Sequence, residues 1–403
     1  MTFSYYSGFS TPAYIRGIIF SLFLFFGRKY IRINRTSFPF FLFFIWIIFL
    51  MFLSNEFLYS FKYVIQVVFS MSMFIIAYEF FDSKEKLFHL LKGLYWILII
   101  TIIAVAIGYI FKIGQIGYQA KDQEEEPFIG LLTFGGLYAP GTVLAITPLI
   151  LKTDLSSLQR KLLPFVVVVL FIFLLLTVRR TVILIPIIGL LGFLLYSKHK
   201  FKILGYSFLV IAFLFALLPL YEDILSSRFK VRENAGRFEE DFYKTEMRYI
   251  ENIQMIEDIG KFENPTKIIF GIGNNIFAEN ITDGQVSGRM FHTDIAKLFY
   301  GIGIFGIIIY LLIYFKLYLK IRNIPSNGYL NDYKSAALGL LLISLFVSIN
   351  GSITVISFRA ANFLLLGAIL GYVKSEAKQK IFTKNKKVES HNGLFTKQSV
   401  TLT

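Results

Sequence analysis

Apolar runs of membrane-spanning length recur along this chain, and short polar or charged loops separate them. A bilayer core about 30 Å thick takes roughly 20 helical residues to cross. Backbone polar groups in lipid must be satisfied within the segment, so such runs read as helices. They fall at residues 38–53, 57–78, 94–111, 162–178, 181–196, 203–220, 295–315, 335–348 and 359–373. Two more are irregular. Residues 13–26 are short and carry Arg16, so this run either spans or lies in the interface. Residues 133–151 are interrupted by Gly135, Gly136, Pro140, Gly141 and Pro148, the pattern of a broken helix that packs on protein or lines a cavity. The expectation is an all-α polytopic membrane protein with about ten or eleven transmembrane helices.

Composition agrees. The 403 residues are 56% hydrophobic and 17% charged, and 46 are Phe, whereas a soluble chain carries about 25% charged residues. Cysteine is absent, which excludes disulfides, iron–sulfur clusters and cysteine-based zinc sites. No small-residue cleavage site follows the first apolar run, so a removable signal peptide is not expected.

The formal net charge is +15. Such a balance can signal nucleic acid, but the placement of the charges points elsewhere. Basic loops at 28–36, 82–92, 152–161, 197–202 and 316–334, and the basic tail, share one side if the spans alternate. That side is the cytoplasm under the positive-inside rule, and no nucleic-acid partner is expected. The acidic run Glu124-Glu125-Glu126, the pair Arg179-Arg180 and the polar segment 221–291 then lie outside. The chain divides into an N-terminal bundle (1–220), one large extracytoplasmic loop between late helices (221–291), C-terminal helices (292–373) and a cytoplasmic tail (374–403) expected to be disordered. Within the loop, 239–259 reads as an amphipathic helix ended by Asn264-Pro265. No internal repeat or inverted symmetry of the transporter kind is visible.

Charges at membrane depth are functional suspects. Arg179 and Arg180 sit between two apolar runs with almost no loop, and two guanidiniums there suit a phosphate or diphosphate. Snorkelling to lipid headgroups is the plainer alternative. Arg248 lies on the amphipathic helix of the loop. His292, one of four His, stands at the junction of loop and span, placed for acid–base work or for holding a substrate hydroxyl. A lone His is more often structural. No carboxylate or second His has metal-ligand spacing to it, so no metal site is predicted. Arg237, Arg289, Asp294 and Arg359 are further candidates on the outer side.

Three strings carry a resemblance. Gly271-Ile272-Gly273, then His292-Thr293-Asp294, then Gly301-Ile302-Gly303-Ile304-Phe305-Gly306 is similar to the C-terminal signature of the O-antigen polymerase and O-antigen ligase superfamily. Leu176-Thr177-Val178-Arg179-Arg180-Thr181 resembles the arginine element at the outer end of that superfamily's central helix. Phe134-Gly135-Gly136 with Pro140-Gly141 resembles its broken helix. The likeness runs over residues 35–373. Departures are the Thr-Asp after His292, Pro-Gly where Pro-Asn is usual, and fewer than twelve spans.

The resemblance implies a metal-independent membrane glycosyltransferase of inverting geometry, without cofactor, in the bacterial cytoplasmic membrane. The donor would be an undecaprenyl-diphosphate-linked glycan. Arg180, with Arg179, would hold the diphosphate as its charge grows. Arg248 would be a second clamp, and His292 would take or orient the acceptor hydroxyl's proton. Besides the lipid bilayer, a chain-length regulator and flippase of the same pathway are implied partners. Polymerase of repeat units is preferred to ligase onto lipid A-core because polymerases are the more divergent and numerous set. A transporter or flippase of the same lipid-linked oligosaccharide is the reading from another class. It would carry charges inside the bundle and needs no large outer loop.

Overall fold

The computed structural model describes residues 22, 25–111, 138–176, 180–198, 200–220, 222–223, 226, 230, 247–261, 265–271, 293–326, 328–349, 353 and 356–398. Two 3-10 turns, Arg28–Tyr30 and Leu218–Leu220, accompany the α-helices α1 (Phe38–Leu53), α2 (Phe57–Phe80), α3 (Lys84–Phe111), α4 (Tyr138–Ala145), α5 (Thr147–Ile150), α6 (Ser157–Leu176), α7 (Arg180–Tyr196), α8 (Lys200–Ala216), α9 (Met247–Lys261), α10 (Pro265–Phe270), α11 (Asp294–Arg322), α12 (Leu330–Ile349) and α13 (Ile356–Gln398). Five of them are long and apolar enough to cross a membrane: α2, α3, α6, α11 and α12. Two shorter apolar helices, α1 and α7, accompany them. Large apolar side chains face outward on several helices, such as Phe52, Phe208 and Phe215 at about 70% exposure. Water would penalise that surface, and lipid welcomes it. The chain is an all-α, multi-pass membrane protein.

Lipid offers no hydrophobic drive for helices to associate, so close packing and interhelical hydrogen bonds must do it. Glycine supplies the close packing. A Cβ on Gly192 of α7 would lie 2.4 Å from the Gly339 Cα of α12, and one on Gly367 of α13 would lie 2.6 Å from the Phe74 carbonyl oxygen of α2. These are the two most extensive helix pairs of the bundle. Against the second of these pairs, Phe40 of α1 stacks on Phe74 with ring centres 4.9 Å apart and meets Phe363 edge-on at 5.8 Å.

Polar contacts gather at the loops that alternation places together. Glu79 accepts from Lys374 at 2.6 Å and from Asn34 at 3.1 Å. Asp332 pairs with Lys152 and accepts from the Ser197 hydroxyl. The Lys334 ammonium closes the C-terminal end of α11, donating to the carbonyls of Arg322 and Ile324 at 2.9 Å each. Tyr329 donates to Glu376, and that bond with partial burial pushes the phenol up to about 12.

Several boundaries differ from the sequence reading. The helix α3 begins at Lys84, so the charged stretch 84–92 is its first turns. The amphipathic helix of the loop is Met247–Lys261, while 239–246 lie outside the described residues. The broken helix parts at Ile146, just before Pro148. The last helix continues to Gln398, through residues where the sequence predicts disorder. The most consequential difference is at 295–315, read from sequence as one span.

Candidate functional site: a broken helix over a buried ion pair

Gly303 interrupts α11 with φ 70° and ψ −179°, so residues 294–302 and 304–322 are two helical arms. An unbroken helix would separate Asp294 from Tyr310 by about 24 Å. Instead the Tyr310 hydroxyl lies 3.4 Å from Asp294 Oδ2, so the first arm folds back beside the second. Hydropathy averaging cannot see this, because both arms are apolar.

The break is built from backbone contacts. Gly271, with φ 88°, leans on Gly301; a Cβ there would lie 2.7 Å from the Gly301 carbonyl. A Cβ on Gly303 would lie 2.1 Å from the Ile269 carbonyl oxygen. Only glycine meets both demands, positive φ and no side chain. The Ile302 carbonyl, released from its helix, accepts from the Trp46 indole of α1 at 3.2 Å. That indole lies among Phe270 and Phe305.

The returning arm starts with Thr293, whose hydroxyl caps the Ala296 amide at 3.2 Å. Asp294 follows, fully buried. Its Oδ1 accepts from the Ile353 amide at 2.8 Å, between α12 and α13. Its Oδ2 pairs with Arg359, in the first turns of α13 and 1% exposed. The Arg359 guanidinium also donates to the Tyr314 hydroxyl at 2.7 Å and to Ser348 at 2.9 Å, with Ser344 at 3.3 Å. Tyr310 and Tyr314 are 3.0 Å apart through their hydroxyls. One ion pair and four hydroxyls thus join α11, α12 and α13. Buried charge persists when paired and hydrogen-bonded in this way.

The helix α9 covers the returning arm. Ile250, Met255 and Ile259 pack against Ala296, Phe299 and Tyr300. Tyr300 donates to Asp258 at 2.7 Å. Glu251, fully buried, accepts from the Thr293 amide at 3.2 Å.

Of the sequence candidates, Asp294 and Arg359 meet directly. Arg248 opens α9 three residues before Glu251, and Arg180 opens α7, but their side chains lie outside the described residues. So do Arg179, Arg237, Arg289 and His292 altogether. Ile185, one turn into α7 from Arg180, packs with Val347 and Phe358, so that helix starts at the same end of the bundle as Arg359. Sequence reasoning missed Lys297, Glu251, the tyrosines and the serines. The available signal was the four-residue spacing of Tyr310 with Tyr314 and Ser344 with Ser348, which lines polar groups along one helix face.

The site therefore belongs to a multi-pass membrane protein with a folded-back helical arm anchored on a buried ion pair. No family model, curated protein or solved structure matches the chain.

Proposed function

We propose that the chain is a membrane glycosyltransferase that polymerises lipid-linked oligosaccharide repeat units for a surface polysaccharide. It takes glycan from an undecaprenyl-diphosphate donor to a sugar hydroxyl, on the outer face of the bacterial cytoplasmic membrane. Supporting this are the three strings of sequence that resemble the polymerase and ligase superfamily. The observation that carries most weight is the Glu251 to Thr293 contact. It ties the helix that carries Arg248 to Thr293, which follows His292 in the sequence.

In this reading the acceptor hydroxyl gives its proton to His292 as its oxygen bonds to the anomeric carbon. The bond from that carbon to the diphosphate oxygen breaks, and the lipid diphosphate leaves with the electron pair. Arg180, Arg179 and Arg248 meet the growing charge. Asp294 and Arg359 hold the arm in place and touch no substrate.

The second reading is a transporter or flippase of the same lipid-linked oligosaccharide. A buried charge pair inside the bundle, Arg359 with Asp294, is what favours it.

Complementation of a deletion strain separates the readings. Wild type, Arg180→Ala, Arg248→Ala and His292→Ala are supplied at matched membrane levels and surface polysaccharide is resolved by gel. Single repeat units without a ladder support the polymerase. Polymer accumulating on the lipid carrier indicates a ligase, and lipid-linked units held on the cytoplasmic face indicate a flippase. A normal ladder from all three variants removes these residues from the mechanism.

A further inference from the structure

A hollow of about 340 Å³ lies where the chain before α1 meets α2 and α13. Phe26, Gly27 and Tyr30 line it, with Ile76 and Phe80 of α2 and Leu364 of α13. The lining is almost wholly apolar, and Phe26 stays 68% exposed, so the hollow opens to its surroundings. A Cβ on Gly27 would lie 2.7 Å from Ile76 Cδ1, so the entering chain leans closely on α2. Water finds too few partners in an apolar hollow, and on a bilayer-facing surface hydrocarbon chains are at hand. The helices α2 and α13 run side by side in one direction, because Gly367 meets Phe74, Gly371 meets Tyr78 and Lys374 meets Glu79. Leu364 precedes Lys374 by ten residues, a rise of about 15 Å. That is about half of a bilayer core roughly 30 Å thick, the depth of one leaflet's acyl chains.

Cations stand at the shallow end. Tyr30 and Phe80 meet edge-on with ring centres 5.2 Å apart. The Lys29 ammonium lies 5.0 Å from the centre of the Tyr30 ring and the Lys86 ammonium 4.9 Å from that of Phe80. Arg28 lies over Phe25 at 5.0 Å. The acids at this end are engaged: Asp82 pairs with Lys86 at 2.7 Å and Glu79 with Lys374 at 2.6 Å. Arg28, Lys29, Arg32 and Arg35 are exposed, and no carboxylate among the described residues pairs with them. An apolar slot of leaflet depth with unneutralised cations at its mouth is complementary to one kind of molecule, a lipid with a negative headgroup.

We propose that this hollow holds an acyl chain of an anionic phospholipid, with the headgroup phosphate on Arg28 and Lys29. The basic loops at this end are those that the positive-inside pattern assigns to the cytoplasm, where anionic lipid supplies the negative surface. The bound lipid seals the seam between the entering chain and the bundle. The site is independent of the reaction that the protein carries out.

The test uses the full-length protein in micelles of an uncharged detergent. Dioleoyl phosphatidylglycerol, dioleoyl phosphatidylcholine and glycerol 3-phosphate are titrated separately, and the rise in melting temperature is read. Wild type is compared with Arg28→Gln/Lys29→Gln, with Leu364→Trp, which fills the hollow, and with Lys198→Gln/Lys200→Gln, which removes two exposed cations between α7 and α8. Phosphatidylglycerol is expected to stabilise wild type and Lys198→Gln/Lys200→Gln alike, and more than phosphatidylcholine does. The concentration it needs should rise at least about fivefold in Arg28→Gln/Lys29→Gln, and the effect should shrink in Leu364→Trp. Equal stabilisation by the two lipids overturns the assignment, because the hollow is then an ordinary lipid-facing groove. So does an equal loss in Lys198→Gln/Lys200→Gln, which would mean general surface attraction. Stabilisation by glycerol 3-phosphate as strong as by phosphatidylglycerol, or unchanged lipid binding in Leu364→Trp, removes the acyl chain from the hollow and overturns it too. A wild-type protein that responds to no lipid, with Leu364→Trp melting lower, makes another segment of the chain the occupant and overturns it as well.

Discussion

Asp294 and Arg359 sit where a single charge is hardest to keep, and each makes the other tolerable. Removing one partner of a buried pair strands the second, at a cost of about 3–5 kcal/mol. Asp294→Asn and Arg359→Met are each expected to lower stability by that order, seen as a large fall in melting temperature in detergent. The double variant should cost clearly less than the two single costs together, because neither charge is then stranded. Additive losses would mean that the pair is not coupled. Tyr310→Phe removes one hydroxyl from the same network and should cost only about 1 kcal/mol. At this scale the sequence was half legible. A charge next to an apolar run marks itself, so Asp294 and Arg359 could be picked out, but their pairing is a long-range fact. Tyrosines and serines in an apolar run look like ordinary spanning residues, and Lys297 looks like a loop-edge cation until the arm folds back.

The break at Gly303 shows what a single residue does to an element. Gly303→Ala places a methyl group 2.1 Å from a carbonyl oxygen and asks alanine for φ 70°. A cost of about 1–3 kcal/mol is expected from the backbone conformation alone, with the clash added to it. Activity should fall with stability, since the arm carries Thr293 and Asp294. Gly205 on α8 is the control, because a Cβ there meets nothing within 4 Å. Gly205→Ala should be neutral or stabilising by up to about 1 kcal/mol. Thermal melting of the two variants side by side decides the matter: equal behaviour would remove the special role of the break. Element lengths were legible in the sequence because lipid thickness sets them. The glycine strings at 271–273 and 301–306 stood out too. Their physical meaning did not, because two backbones in face-to-face contact across thirty residues of chain leave no periodic signal.

For the molecule as a whole, the alternation of spans sets sidedness, and the absence of cysteine makes it directly measurable. Asn55, in the turn between α1 and α2, and Ser156, before α6, are both exposed. Asn55→Cys is expected to react with a membrane-impermeant maleimide in intact cells, and Ser156→Cys only after the cells are opened. Labelling of both from one side would overturn the alternation on which the outer placement of the site depends. The broad class followed from the chain's apolar runs and basic loops alone. The site did not, because it is assembled from α9, α11, α12 and α13, whose residues meet only in the fold.

The indole of Trp46 and the carbonyl of Ile302 are 256 positions apart in the chain. A ribosome therefore delivers α1 long before the arm that needs it. That helix has to remain in the bilayer, correctly placed, until residues 294–302 emerge, and only then can the freed carbonyl find its donor. A fragment that begins after α1 would insert its late helices and still have no seat for that carbonyl. The late half of this protein is thus completed by a helix near its N-terminal end, and the order of synthesis is also the order in which the site becomes possible.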